Sequence, residues 1–375
     1  MRLEKMWSAV KPRALTWRFY AGGAAFLFIL MQALTGLYMI FYYEPALKDT
    51  YAIVQYFNNQ TALGSLTRNL HRYGAFALTT LMFVHFWRAY FRADYQGGRL
   101  WYWLTGLLLS VIVASFLISG SILPWEWKGY WIMEMFNNWL KNVPLVGGAL
   151  YDFFMTSYTP TRNFVIHDII LPIICFILLE IHCLGRLKKR GFRDFLVRQA
   201  FATLPLIAAV TAASLALPMP TEDPEIIPLP MEGVYIPAPE WFFVSFLVPY
   251  WYVPPRLWPL YLFWIPFALL AIAALLPFIN RRAPKAERET ASPRRRMARR
   301  LAYYGAGVAV CAALTGSFLW SSAPSPWMGC NSCHNRAMGE RMGIPPITYK
   351  DRDRNPLLTD SRWMIRHWYQ PQVVW

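Results

Sequence analysis

The chain has 375 residues, of which 56% are hydrophobic and 15% are charged, whereas soluble domains carry about 25% charged residues. This composition excludes an ordinary soluble enzyme and indicates a protein that crosses a membrane several times. The formal net charge of +16 does not indicate nucleic-acid binding, because most basic residues lie in alternate segments between long apolar runs, as the positive-inside rule describes.

Seven apolar runs have the length of roughly 20 residues that a helix needs to cross the hydrocarbon core. They cover residues 19–42, 70–91, 101–122, 164–186, 196–217, 257–279 and 301–320. The sequence therefore predicts an all-α integral membrane protein with seven transmembrane helices. Residues 1–18 hold five basic residues and lead into the first run without a small-residue cleavage site. We interpret that run as a retained span and not as a signal peptide.

The distribution of Lys and Arg predicts the orientation of the chain. If the N-terminus is cytoplasmic, four cytoplasmic segments share 23 of the 37 basic residues, including the run PRRRMARR before the seventh span. This asymmetry is typical of the cytoplasmic side of a membrane, where basic residues can also touch anionic lipid. Seven crossings then place the C-terminal tail on the outer, periplasmic side of a prokaryotic cytoplasmic membrane.

Composition also divides the chain into three parts. Residues 1–190 hold four predicted spans, residues 191–322 hold three spans and a Pro-rich outer loop, and residues 323–375 form a polar tail rich in Trp. The aromatic residues of the tail favour packing against partner subunits. Residues 130–158 are amphipathic and are predicted to lie at the outer interface.

Four of the six histidines lie in two of the apolar runs, where ionisable residues are rare and usually functional. His71 and His85 are 14 residues apart, and His167 and His182 are 15 apart. At 100° per residue, a spacing of 14 residues ends about 40° short of a whole number of turns, and a spacing of 15 residues ends about 60° beyond it. Each pair therefore shares one helix face. Because both spans run in the same direction, the first histidines lie at one depth and the second at another. For a single histidine, the alternative is a hydrogen-bonded polar residue at a helix interface.

This arrangement predicts two planes, each with two facing imidazoles, roughly 21 Å apart. A zinc site would need further Cys or carboxylate ligands, whereas iron in a planar macrocycle needs two axial nitrogens. We therefore predict two non-covalent haems b. Glycines at the 14-residue interval in the first and third spans would give the flat rings room, and neighbouring arginines would pair with propionates. These residues are Gly22, Gly36, Gly106 and Gly120, and Arg68, Arg72 and Arg88.

The C-terminal tail contains CNSCH, which has the C-x-x-C-H pattern of covalent haem c attachment. Thioether bonds would come from Cys330 and Cys333, and His334 would be the proximal iron ligand. The alternative is a disulfide between the two cysteines, but the predicted outer placement of the tail favours haem c. Candidates for the sixth iron ligand are His367, Met338, Met342 and Met364.

Five motifs together resemble the cytochrome b family of quinol-oxidising cytochrome bc complexes. They are QALTGLYMIFYYEP, SLTRNLHRYGA, SILPWEWKGYW, TPTRNFVIHDIILP and PAPEWFF. The resemblance covers residues 17 to about 320 and is closest to the photosynthetic-type form, with its four-span and three-span chains fused here. It implies that His71 and His167 bind an outer haem b, and that His85 and His182 bind an inner one.

The resemblance also implies that PEWF, comprising Pro239, Glu240, Trp241 and Phe242, belongs to an outer quinol-oxidation site that Tyr130 helps to line. A carboxylate at the membrane edge is suited to accept and carry the protons that quinol oxidation releases. The alternatives are an interfacial Glu240 that points to water and an anchoring role for Tyr130.

Two positions depart from the pattern of the family. Phe242 stands where Tyr is commoner, which removes a hydroxyl from the predicted quinol site. Tyr20 stands where photosynthetic-type relatives carry a cysteine that holds an extra haem, and the first span contains no cysteine. We therefore do not expect that additional haem here.

The resemblance implies a quinol:cytochrome c oxidoreductase subunit that sends one electron inward through two haems b to a quinone and the other outward, with proton translocation. The outward electron needs a high-potential acceptor such as a Rieske cluster, which takes two His and two Cys ligands. Since five of the six histidines already have roles, we expect a separate iron–sulfur subunit, a partner c-type cytochrome and a homodimeric complex. The alternative is a di-haem anchor that connects an outer dehydrogenase to quinone without bifurcation.

Overall fold

The computed structural model describes residues 20–46, 49–96, 99–126, 143–154, 159–217 and 260–279, with single residues between 129 and 140, at 257, and between 292 and 301. Every regular element in these ranges is helical, as predicted for an all-α protein. The C-terminal tail and all but the first residue of the predicted seventh span lie outside the described residues.

Eight helices, the last of them directly preceded by the π-helical turn Leu260–Trp264, make up the described part of the fold. They are α1 (Tyr20–Ile40), α2 (Thr50–Gln60), α3 (Gly64–Arg92), α4 (Leu100–Ile122), α5 (Gly147–Phe154), α6 (Thr159–Lys189), α7 (Phe192–Ala216) and α8 (Ile265–Ile279). Among the described residues, α1, α4, α6 and α7 are long and apolar enough to cross a membrane. These helices establish a multi-pass membrane protein. α3 has 29 residues and begins six positions before the predicted apolar run, because its polar first turns are also helical.

The helices pack as two long antiparallel pairs that face one another. α1 lies along α3, and α4 lies along α6, while α3 also meets α4. One apolar cluster joins Ala25 and Phe28 of α1 to Leu78 of α3 and Val113 of α4. Because a buried cluster shared by three helices fixes their relative positions, α1, α3 and α4 form one body.

A second apolar cluster brings α6 into the same bundle. It contains Phe26 of α1, Leu109 of α4, and Cys175 and Leu179 of α6. The four helices α1, α3, α4 and α6 therefore surround a common interior, which is the four-helix arrangement expected of the predicted di-haem part.

The remaining long helices lie against the outside of this bundle. α7 contacts α1 and α3, and α8 contacts α4. Trp103 of α4 donates its indole Nε1–H to the carbonyl oxygen of Ala273 in α8, at 2.7 Å. This hydrogen bond, together with the apolar cluster of Tyr95 and Trp103 on which Leu276 of α8 packs, attaches α8 to the end of the bundle where α4 begins.

Helix α6 is not a uniform α-helix. It contains two π-helical turns, Ile166–Ile170 and Glu180–Leu184, and each turn includes one of the two histidines of that helix. A π turn has i→i+5 hydrogen bonds and rotates less per residue than an α turn. The wider turns therefore reduce the overshoot of about 60° that a 15-residue spacing would give in a regular α-helix.

Candidate cofactor site

The four histidines of α3 and α6 meet in two pairs across the bundle. The ring centres of His71 and His167 are 6.4 Å apart, with the rings inclined at 60°. Those of His85 and His182 are 6.2 Å apart, with the rings inclined at 86°. The structure thus brings together the residues that share a predicted depth, and it does so between the two helices on which the sequence places them.

The distances suit two ligands on opposite sides of one metal ion. An imidazole nitrogen lies about 2 Å from a bound metal ion and about 1 Å from its own ring centre, so two such rings have centres roughly 6 Å apart. Among the described residues there is no group of three or more His, Cys, Asp or Glu side chains that could hold a metal ion. A pair of imidazoles without further ligands fits an iron macrocycle better than a zinc site.

Each imidazole packs against a glycine of the neighbouring helix. A Cβ atom added to the glycine would lie 2.8 to 3.4 Å from the ring Cε1 atom. The four contacts are Gly22 with His85, Gly36 with His71, Gly106 with His182 and Gly120 with His167. The sequence analysis expected these glycines to make room for flat cofactor rings. In the structure, the imidazole rings themselves occupy the space that a side chain would take.

Three of the imidazoles also meet a hydroxyl group through Nδ1. The distances from hydroxyl oxygen to Nδ1 are between 2.8 and 3.1 Å. The pairs are Thr35 with His71, Thr105 with His182 and Ser119 with His167. Each hydroxyl residue directly precedes the glycine that packs on the same ring. A Thr-Gly or Ser-Gly dipeptide opposite each histidine is the sequence signal for these contacts, and the analysis of glycine spacing alone missed it.

The hydroxyl groups determine which ring nitrogen carries the proton. Each hydroxyl donates its own hydrogen to the backbone carbonyl four residues earlier, at 2.6 to 2.8 Å. With its hydrogen used in this way, the hydroxyl is the acceptor at the imidazole, and we assign the ring hydrogen to Nδ1. The tautomer with Nδ1–H leaves the lone pair on Nε2. Three histidines therefore have Nε2 free to bind a metal ion. In metal sites, a hydrogen bond at the other ring nitrogen fixes the ligand in this way.

The fourth histidine lacks such a partner. Ala21 precedes Gly22, and the buried Nδ1 atom of His85 has no hydrogen-bond partner in the described part of the chain. The backbone approaches this ring as closely as it does at the other positions, since a Cβ on Gly22 would lie 2.8 Å from Cε1. The site therefore has four similar ring contacts but three hydroxyl partners.

A buried ion pair lies near the end of the bundle that holds His71. The guanidinium Nη2 of Arg68 on α3 donates to the Oε1 atom of Glu126, and both side chains are under 10% exposed. The Nη1 atom of Arg68 is buried and has no hydrogen-bond partner among the described residues. Arg68 was predicted as a propionate partner, whereas no role was predicted for Glu126, which lies within the motif SILPWEWKGYW. One donor face of Arg68 is therefore held by a carboxylate, and the other is directed into the buried interior.

The other two predicted arginines also lie on α3. Arg72 directly follows His71, and Arg88 follows His85 by three residues. Both side chains are half-buried. Their positions bring one positive charge to the neighbourhood of each pair of imidazoles.

Tyr43 joins the C-terminal ends of α1 and α4 near the same ion pair. Its phenol donates to the carbonyl oxygen of Leu123 at 2.8 Å, which links the segment after α1 to the end of α4. Burial, with the nearby carboxylate of Asp168, raises the pKa of Tyr43 well above its ordinary value. The phenol therefore stays protonated and remains a hydrogen-bond donor.

Tyr20 occupies the position where the resemblance led us to look for a cysteine. Its phenol donates to the carbonyl oxygen of Ala202 in α7 at 3.2 Å, and Gln199 of α7 donates to the carbonyl oxygen of Tyr20 at 3.2 Å. The side chain thus contributes to the contact between α1 and α7. The described contacts assign it a packing role.

The remaining predicted site residues lie outside the described residues. They are the quinol-site residues Tyr130, Pro239, Glu240, Trp241 and Phe242, and the tail residues Cys330, Cys333, His334 and His367.

The described fold and site define a multi-pass helical membrane protein with two facing pairs of imidazoles in its bundle. A family model for cytochrome b/b6/petB matches residues 6–191. The chain is 32% identical over 175 residues to cytochrome b6 of Prochlorothrix hollandica, an alignment that covers 45% of this chain and 78% of that protein. It is also 32% identical over 175 residues to cytochrome b6 of Mastigocladus laminosus, covering 45% of this chain and 81% of that protein. The chain belongs to the cytochrome b family.

A solved structure titled "Hyperthermophilic respiratory Complex III" has the same fold. It superimposes with a TM-score of 0.58 at 20% sequence identity, covering 71% of this chain and 76% of that one. Membership of the cytochrome b family makes the chain a transmembrane haem protein of electron transport, in a family that binds two haems b through histidines.

Proposed function

We propose that the chain is the cytochrome b subunit of a bc-type quinol:cytochrome c oxidoreductase. In this proposal, quinol is oxidised at the outer face, and one electron passes inward through two haems b to reduce a quinone. The observation that carries the proposal is the pair of imidazole contacts between α3 and α6, with ring centres 6.4 and 6.2 Å apart.

The residues present fit the proposed cofactors. His71 with His167, and His85 with His182, would each provide two axial nitrogens. Haem b, when bound, supplies one-electron redox chemistry at iron. The chain itself fixes the ligands before binding, because the glycine contacts set the position of each ring and the hydroxyl groups fix the Nδ1–H tautomer of three of them.

The charged residues of α3 support the binding of an anionic cofactor. The buried Nη1 donors of Arg68 suit a propionate carboxylate, which would satisfy an otherwise unpaired polar group. Arg72 and Arg88 bring positive charge to the surroundings of His71 and His85, where two further carboxylates would need compensation. Glu126 orients Arg68 through the ion pair.

The quinol site is proposed from the sequence motif and from membership of the family. Glu240 would accept protons from the quinol, and Pro239, Trp241 and Phe242, with Tyr130, would shape the site. Because the outer face releases protons and the inner face consumes them, electron transfer across the bundle would move charge across the membrane.

The tail would add a covalent haem c through Cys330 and Cys333, with His334 as the proximal ligand and His367 or a methionine as the sixth. An electron leaving outward would need a Rieske-type iron–sulfur subunit as its first acceptor, and haem c or a partner c-type cytochrome would receive it. The complex would be a homodimer of several subunits in a prokaryotic cytoplasmic membrane, with the N-terminus cytoplasmic and the tail outside.

Spectroscopy of the purified complex tests the cofactor content. We expect the pyridine haemochromogen assay to give two haems b and one haem c per chain. Replacing His71 or His182 by leucine should remove a single haem b in each case. The variant Ser115→Ala is the matched control, because Ser115 lies on α4, is half-buried and donates to the carbonyl of Val111. A chain that binds no haem b would refute the proposal.

Inhibitor experiments distinguish the proposed enzyme from a di-haem anchor. With the inner quinone site blocked by an antimycin-like inhibitor, a two-site enzyme should show oxidant-induced reduction of haem b. An anchor without bifurcation should show none. The family relationship and the motif PEWF favour the two-site enzyme, since an anchor gives that loop no task.

A further inference from the structure

All four imidazoles of the bundle pack against a glycine, but they differ in the hydrogen bonds that they make. His71 and His182 each have a backbone partner, Gln32 and Tyr102, besides a hydroxyl. At His71, His167 and His182, the residue before the contacting glycine carries a hydroxyl that bonds Nδ1. At His85 the corresponding residue is Ala21, which has no polar side-chain atom. The pair formed by His85 and His182 therefore has one supported ring and one unsupported ring.

The close approach of the backbone makes this difference informative. A Cβ on Gly22 would lie 2.8 Å from Cε1 of His85, the same distance as from Gly120 to His167, where the hydroxyl of Ser119 reaches Nδ1 at 2.8 Å. Nδ1 of His85 lies 3.0 Å from that Cβ, against 3.5 Å for Nδ1 of His167, so the backbone before Gly22 is near enough for a hydroxyl at position 21 to reach Nδ1. Ala21 is buried, at 6% exposure. Bulk water therefore does not reach position 21 to replace the missing hydrogen-bond acceptor.

A hydrogen bond from Nδ1–H to an acceptor increases the basicity of an imidazole ligand. A more basic axial ligand stabilises ferric iron relative to ferrous iron and so lowers the reduction potential. Because Nδ1 of His85 has no acceptor, we expect His85 to be the weakest electron donor of the four histidines. We infer that Ala21 is a positioning residue that, by withholding a hydrogen-bond acceptor from His85, raises the reduction potential of the haem held by His85 and His182. This inference rests on the proposed haem binding.

The test is a potentiometric titration of both haems b in the purified complex. The variant Ala21→Ser should shift the midpoint potential of the His85–His182 haem to a lower value and leave the other haem b unchanged. We expect about a fivefold change in the ferrous-to-ferric ratio at a fixed ambient potential, the size that one hydrogen bond supplies. A tenfold change corresponds to 59 mV for a one-electron couple.

A second variant tests the same inference without adding an atom to the bundle. Thr105→Val removes the hydroxyl that supports His182, and it should raise the potential of the same haem. Ser119→Ala should instead raise the potential of the His71–His167 haem. Ser115→Ala, one turn earlier on α4, is the control and should shift neither potential.

The outcomes separate this inference from the proposed function. If Ala21→Ser keeps two haems b but shifts neither potential, or shifts the wrong haem, the inference is wrong while the haem-binding proposal stands. If Ala21→Ser does not assemble, an unchanged potential of the His71–His167 haem in Ser119→Ala overturns the inference, because Ser119 is the hydroxyl partner of His167. A rise confined to that haem supports it. If the unmodified chain contains no haem b, the proposed function itself fails.

Discussion

The variant Gly120→Ala tests whether the glycines of the bundle exist to position the imidazoles. The added methyl group would lie 2.8 Å from Cε1 of His167 and 3.5 Å from both ring nitrogens. The ring cannot easily retreat, because Ser119 holds Nδ1 at 2.8 Å and the side chain is 8% exposed. One methyl group thus opposes both the position of the ring and its hydrogen bond.

The expected cost follows from three terms. Inserting a methyl group into a packed interior costs about 1–3 kcal/mol, and loss of the hydrogen bond between Ser119 and His167 costs about 1 kcal/mol. Alanine recovers about 1 kcal/mol of helix propensity relative to glycine. Because the net penalty of about 1–3 kcal/mol acts on the ring position that binds the cofactor, it corresponds to roughly five- to 150-fold weaker cofactor binding.

Gly36 provides the matched comparison, because a Cβ there would lie 3.4 Å from the ring of His71, which is ordinary contact. Gly36→Ala should therefore keep its haem. Gly148→Ala is a second control, since nothing lies within 4 Å of the added atom. The assay is the haem b content per chain after purification through mild detergent. Full haem b content in Gly120→Ala, equal to that of Gly36→Ala, would refute the reasoning.

Three further predictions concern residues away from the glycines. Arg68→Gln should lower the free energy of unfolding by about 3–5 kcal/mol, because it leaves Glu126 buried without its partner. Thermal unfolding of the complex should show a partial recovery of stability in the double variant Arg68→Gln/Glu126→Gln. Equal stability of the single and double variants would contradict the ion pair. Glu240→Gln should slow quinol oxidation by about a hundredfold or more, the size of a general acid–base contribution, while the optical spectrum keeps both haems b. Unchanged turnover would exclude the proposed proton acceptor. Cys330→Ala or Cys333→Ala should abolish or weaken haem staining of the chain on a denaturing gel without altering haem b, and persistent staining in the double variant would contradict covalent attachment.

The sequence predicted the described fold well because membrane helices are specified by length and apolarity. The runs 101–122 and 196–217 nearly coincide with α4 and α7. The start of α3 was predicted too late, since its first turns are polar and apolarity alone cannot detect them. Among the described residues, four helices are long and apolar enough to cross a membrane, so the total of seven spans and the tail remain predictions.

The cofactor site was predictable in its histidines but not in their supporting contacts. Depth and helical phase depend only on spacing, so the pairing of His71 with His167 follows from counting residues. The π turns of α6 could not be predicted in this way, because they arise where a helix absorbs an extra residue against its neighbours. The ion pair of Arg68 with Glu126 spans 58 residues and depends on a fold that charge patterns alone do not define.

The polar groups of the bundle explain how an apolar interior can hold four imidazoles before any cofactor binds. A buried polar group costs free energy unless it is hydrogen-bonded, and each of the three hydroxyls satisfies this requirement twice, with a backbone carbonyl and with Nδ1. The same bonds that stabilise the helices therefore also fix the ligand tautomer. His85 lacks such a hydroxyl partner. Adding one oxygen atom beside it, as in Ala21→Ser, should therefore alter the electron affinity of the haem held by His85 and His182 without altering the fold.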